Sequence, residues 1–230
     1  MDLTVVHRKL SIVWIAAAYS DASVVLWRLD IDHQSFSCVT RAASDIHAHC
    51  VLSAASVKTN DGRYLVLTGA SDGQIIVWDV SVFIAEIVDS SKANVALQAV
   101  LKVPHVHQSG VNTMCARVDG AEIVVASGGD DCSISLTRIG STPPSVQSVT
   151  RKELAHASAI QGVAFLGGVS ICSVSTDQRV AVWNQNLELQ DMAITLVSDP
   201  SALQVSTIGN DTQVMVAGIG FETFDVSRSC

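Results

Sequence analysis

The stretch TGASDGQIIVWDV, residues 68–80, decides how this chain folds. Its first half, Gly69-Ala70-Ser71-Asp72-Gly73, fits the G-x-S-x-G pattern of a nucleophilic serine at a strand-turn-helix corner. Such a corner needs a helix after the turn. Here Gln74-Ile75-Ile76-Val77-Trp78 follows, a β-branched and aromatic run suited to a strand. The local reading is strand, turn, strand, with Ser71 as turn filler.

The phrase recurs. IAAAYSDASVVLWRL (15–29), VVASGGDDCSISLTRI (124–139) and ICSVSTDQRVAVWNQ (171–185) repeat its layout, and VMVAGIGFETFDV (214–226) is a worn copy. The turn aspartate stands at Asp21, Asp72, Asp131 and Asp177. Six residues on stand Trp27, Trp78 and Trp183, with Thr137 in the third copy. Four residues before the aspartate stand Thr68, Ser127 and Ser173, with Ala17 in the first copy. A histidine precedes each later copy, with an apolar residue four positions on: His47/Val51, His107/Val111 and His156/Ile160. The position of Ser71 varies between Ser20, Asp130 and Thr176, which is no pattern for a nucleophile.

This constellation resembles the WD40 repeat, in which a histidine, an aspartate turn and a Trp-Asp pair mark each unit. The resemblance implies an all-β fold, a β-propeller of four-stranded blades. It predicts about five blades, roughly 3–42, 50–103, 110–154, 158–196 and 201–226, the last ending after its third strand. The arc is expected to be incomplete, and residues 1–230 to be the C-terminal part of a longer protein or to have an edge covered by a partner. Departures exist: only Trp78-Asp79 is a true Trp-Asp pair, and the copies are spaced more widely than usual. Long loops around 81–94 and 139–150 are expected to take up the excess, Pro143-Pro144 breaking the strand in the second.

A buried indole needs an acceptor, and a buried imidazole needs partners on both nitrogens. The resemblance therefore implies hydrogen-bonded tetrads: His47, Thr68, Asp72 and Trp78 (His49 being an alternative to His47), and His156, Ser173, Asp177 and Trp183. His107, Ser127 and Asp131 form a third without its tryptophan, while Asp21 and Trp27 mark the first copy. Propeller loops beyond the aspartate turns usually bind partners, which makes Gln108, Asp130, Gln178 and Arg179 the candidate contacts.

Composition narrows the function classes. The net charge of −8 argues against a broad phosphate-gripping surface, and the pairs Arg8-Lys9 and Arg151-Lys152 read as solvated strand ends. Six cysteines without a C-x-x-C suggest a reducing, cytoplasmic setting, four of them (50, 115, 132 and 172) lying in apolar runs. LSIVWIAAAYS after Arg8-Lys9 has the outline of a signal peptide but reads as a buried strand, too short to span a bilayer. His47-Ala48-His49-Cys50 and His105-Val106-His107 place side chains on one strand face, yet each group has a histidine assigned to a tetrad. No metal or cofactor motif survives; Gly128-Gly129 and Gly167-Gly168 read as turn glycines.

Beyond the repeat, CVLSAAS, HQSGVNTM, EIVVASGGDD, SICSVSTDQRVAVWN and GFETFDV occur in an order and spacing that resemble the C-terminal region of the WD repeat-containing protein 6 family. That resemblance implies a non-enzymatic subunit of a cytoplasmic tRNA 2′-O-ribose methyltransferase acting on the anticodon loop. An FtsJ-like partner would carry the S-adenosylmethionine site, and tRNA would be met indirectly or through regions outside this chain. The alternative is a general WD40 adaptor in ubiquitin-ligase, signalling or trafficking assemblies.

Overall fold

The copies fold as hairpin-linked sheets because each apolar run is short, β-branched and closed by an Asp or Gly turn. The computed structural model describes residues 2–42, 49–85, 96–167, 170–208 and 211–226. The first sheet is β1 (Asp2–Lys9), β2 (Ile12–Ala18), β3 (Val24–Asp30) and β4 (Ser35–Arg41). The second is β5 (Val51–Lys58), β6 (Tyr64–Ala70), β7 (Ile75–Asp79) and, after helix α1 (Ser81–Ala85), β8 (Ala99–Val103). The third is β9 (Val111–Asp119), β10 (Glu122–Gly129), β11 (Ile134–Ser141) and β12 (Pro144–Lys152), and the fourth is β13 (Ile160–Leu166), β14 (Ser170–Ser175), β15 (Arg179–Trp183) and β16 (Leu189–Ile194). A fifth sheet pairs β17 (Ser198–Ile208) with β18 (Asp211–Val226). All pairings are antiparallel meanders, the layout of β-propeller blades.

The inner strands β1, β5, β9, β13 and β17 pack in succession, so the sheets fan out as an arc. Cores lie between sheets, not within one. Trp14, Leu26, Val66, Ile76 and Trp78 fill the space between the first and second sheets. Leu65, Leu67, Ile75 and Val77, on the other face of the second sheet, meet Ile123 and Val125 of the third. Adjacent residues of β6 thus serve two cores, which explains why the middle strands are apolar almost throughout. The sheets approach closely: a Cβ on Gly128 would lie 2.4 Å from Ile160 Cγ2.

Two expectations change. The fifth sheet has two strands where three were expected, since β18 runs for 16 residues without reversing. Its copy lacks the Asp turn, and Gly220, at φ +120, does not end the strand. Segment 139–150 is not a loop: β11 and β12 are joined through Thr142-Pro143, in register as far as Ser141 opposite Pro144. Pro144 is tolerated because it opens an outermost strand, which pairs with no further strand of its sheet among the described residues. Of the cysteines, Cys172 is fully buried, Cys38 is exposed, and Cys50, Cys115 and Cys132 are half-buried. Most of segment 81–94 lies outside the described residues, apart from α1 at its start.

Candidate functional site

The fourth sheet shows the full set of polar partners. Trp183, on β15, donates its indole N–H to Ser173 Oγ on β14 at 2.8 Å. The same oxygen is 2.8 Å from His156 Nε2, and His156 Nδ1 is 3.2 Å from Asp177 in the turn. Asp177 also accepts the N–H groups of Ala157 (2.8 Å) and Arg179 (3.0 Å). Burial opposes the charge on Asp177, but those backbone donors and His156 outweigh it and hold the carboxyl below its ordinary range. For His156, burial outweighs the pull of Asp177, so the imidazole titrates below its usual value and is neutral near pH 7. Its one proton then sits on Nδ1 facing the carboxylate, and Ser173 O–H donates to Nε2. The chain of donors runs from tryptophan to serine to histidine to aspartate.

The third sheet shares the lower part of this arrangement. His107 Nε2 is 2.9 Å from Ser127 Oγ, and Nδ1 is 3.0 Å from Asp131 Oδ1 and 2.9 Å from Ser133 Oγ. Burial works against ionisation of Asp131, yet hydrogen bonds from His107, Ser133 and the Gln108 N–H hold its carboxyl well below the usual range. Thr137, standing where the other copies have tryptophan, is buried with no partner for its hydroxyl among the described residues.

In the second sheet, Trp78 Nε1 donates to Thr68 Oγ1 at 2.8 Å. His47 lies outside the described residues, and the alternative, His49, is exposed. Asp72 accepts the backbone N–H of Gln74 at 3.3 Å and its side-chain amide. The first sheet departs from the pattern. Trp27 donates to Tyr19 Oη at 3.1 Å and stacks on Phe36 at 4.6 Å, because Ala17 offers no hydroxyl. Exposed Asp21 binds Ser23 and Arg41 instead of a histidine. Tyr19 has no counterpart in the other copies, so the repeat carried no signal for it; the Asp-x-Ser spacing shared by Asp21/Ser23 and Asp131/Ser133 was readable.

Successive sheets are also linked through backbone. In the second, third and fourth sheets the residue after the turn aspartate accepts a bond from the loop entering the next sheet. His107 N–H donates to Gly73 O at 3.1 Å, His156 N–H to Cys132 O at 3.3 Å and Thr195 N–H to Gln178 O at 2.9 Å. All three acceptors have left-handed backbone, with φ of 80, 61 and 62.

On the turn face, Gln108 is exposed and holds Asp131 through its N–H at 2.8 Å. Asp130 accepts from Asn112 Nδ2 at 2.6 Å, and Gln178 gives its amide to Val197 O at 3.2 Å. Arg179 is exposed. Among the described residues no cluster of histidine, cysteine and carboxylate is arranged to hold a metal ion. None of their helices is long and apolar enough to cross a membrane.

A family model described as "WD domain, G-beta repeat" matches residues 37–79, the span from β4 through the Trp78-Asp79 pair. No curated protein matches the chain. A WD40 repeat is thus present at residues 37–79, and the antiparallel sheets make a WD40 β-propeller fold of about five blades.

Proposed function

We propose that this chain is the non-catalytic WD-repeat subunit of a cytoplasmic tRNA 2′-O-ribose methyltransferase, holding an FtsJ-like catalytic partner. A WD40 repeat supports the coarser part, an interaction scaffold. The finer part is carried by one observation: the ordered segments from CVLSAAS to GFETFDV resemble that family's C-terminal region. The polar chemistry is compatible with a platform, since His107, His156, Asp131 and Asp177 are engaged in internal hydrogen bonds. The turn face around Gln108, Asp130, Gln178 and Arg179 is the docking surface we assign to the methyltransferase. Cofactor and reaction then belong to the partner.

The test is affinity capture of the full-length protein, with ribose-methylation mapping of tRNA after depletion. Recovery of an FtsJ-like protein and loss of anticodon-loop methylation are expected. Capture without such a protein, together with unchanged methylation, would replace this reading by a general adaptor.

A further inference from the structure

The outermost strand of each four-stranded sheet has one edge that pairs with no further strand of that sheet among the described residues. Such an edge attracts other chains unless a basic side chain or a proline guards it. Three of the four are guarded: β4 ends in Arg41, β8 carries Lys102, and β12 carries Pro144, Arg151 and Lys152. β16, with the sequence LQDMAI, has none of these.

The apolar residues of β16 also fall in a row. Its register sets Leu189 opposite Trp183, Met192 opposite Ala181 and Ile194 opposite Arg179. Trp183 and Ala181 belong to the core between the third and fourth sheets. Residues opposite one another share a face, so Leu189, Met192 and Ile194 line that face at its rim, 50%, 47% and 71% exposed. Asp191, opposite Val182, stands on the other face. The Met192 N–H donates to Asp191 Oδ1 at 2.8 Å, a bond that turns it to the open edge rather than to β15. Asp191 and Glu188 are exposed, and Glu188 accepts from Asn184 at 2.7 Å. Among the pairing partners of β16 the one cation is Arg179, at the Ile194 end.

We propose that β16 is a docking edge for an extended segment of a partner protein, with apolar residues at alternate positions and lysine or arginine between them. The segment adds as a fifth strand and takes the outward amide of Met192. Its apolar residues lie beside Leu189, Met192 and Ile194, and its cations lie on the other face, toward Asp191 and Glu188 and away from Arg179. A second copy fits less well, because two edges of like sign would meet on chains of net charge −8 each. This surface does not depend on the methyltransferase reading.

The experiment is selection of a phage-displayed library of random peptides on the full chain, then fluorescence anisotropy of the enriched peptides with edge variants. Enriched peptides are expected to alternate apolar residues with lysine or arginine. Met192→Pro removes the outward N–H and no bond to β15, and should weaken their binding roughly tenfold. Ile194→Lys sets a cation on an exposed position of the edge and should weaken it by a similar factor, which keeps the test open if the proline variant fails to fold. Val149→Lys, on exposed β12, should stay within about twofold of the parent. Melting curves matching the parent establish that a variant is folded.

Enrichment of no peptide, of acidic peptides, or of peptides that bind the β16 and β12 variants equally would overturn the proposal. So would a parent chain that dimerises in sedimentation equilibrium while Ile194→Lys stays monomeric, which would give the edge to a second copy.

Discussion

Trp183 and His156 meet on a single hydroxyl: the indole nitrogen and imidazole Nε2 each lie 2.8 Å from Ser173 Oγ. One small side chain therefore satisfies a buried donor and a buried acceptor. Ser173→Ala leaves both without partners and should cost on the order of 2–4 kcal/mol. Ser173→Thr keeps the hydroxyl and should stay within about 1 kcal/mol, since Thr68 serves Trp78 in the second sheet. Urea denaturation of the two variants separates these outcomes; equal stability would mean that the shared oxygen matters little.

Thr137 offers the opposite case. Its hydroxyl is buried and unpartnered among the described residues. Thr137→Val keeps the shape and removes the polar atom, so the variant should gain about 1 kcal/mol. A lowered urea midpoint would show that the hydroxyl has an acceptor after all.

These two sites show what could be read from residues alone. The Asp turn and the tryptophan six residues on recur because they act within one hairpin, so local spacing exposes them. The partner of Trp27 could not be read, because Tyr19 replaces a missing hydroxyl in one copy only. The outer strand β12 was hidden by Pro143-Pro144, since a proline rule is relaxed where a strand has one open edge. The two-stranded end sheet was hidden for a different reason. A worn repeat keeps its apolar alternation after losing the residue that turns it, and alternation alone cannot say where a strand stops.

Acidification should destabilise the fold in two steps. An unfolded histidine titrates near 6.5 and an unfolded aspartate near 3.9. His156 and His7 titrate lower when folded, so as pH falls through about 6.5 the unfolded chain takes up protons that the folded chain refuses. Asp131 and Asp177 are depressed in the fold, so a second loss begins below about pH 4–5. Both contributions are fully present above about pH 7. Urea midpoints across pH 3–8 check this, and Asp131→Asn should flatten the acid limb. A midpoint that rises between about pH 7 and 5 would contradict the sign.

Gly73 combines a backbone requirement with a steric one. Its φ is +80, and a Cβ would sit 2.1 Å from His107 O. Gly73→Ala should cost on the order of 2–3 kcal/mol. Gly120→Ala, at φ +61 with nothing within 4 Å, should cost only about 1 kcal/mol. Thermal melts of the pair isolate the contact, and equal shifts would assign the whole effect to backbone conformation.

The carbonyls of Gly73, Cys132 and Gln178 give the arc a polarity. Each holds the loop that enters the following sheet, and at Gln178 the side-chain amide adds a second bond, to Val197 O. The arrangement resembles roof tiles, each overlapped by the one before. Melting the second sheet removes the Gly73 anchor from the third, while the His107 loop keeps its bonds to Ser127 and Asp131. Damage to the third or fourth sheet therefore costs each neighbour one backbone anchor and leaves that neighbour's own polar chain closed.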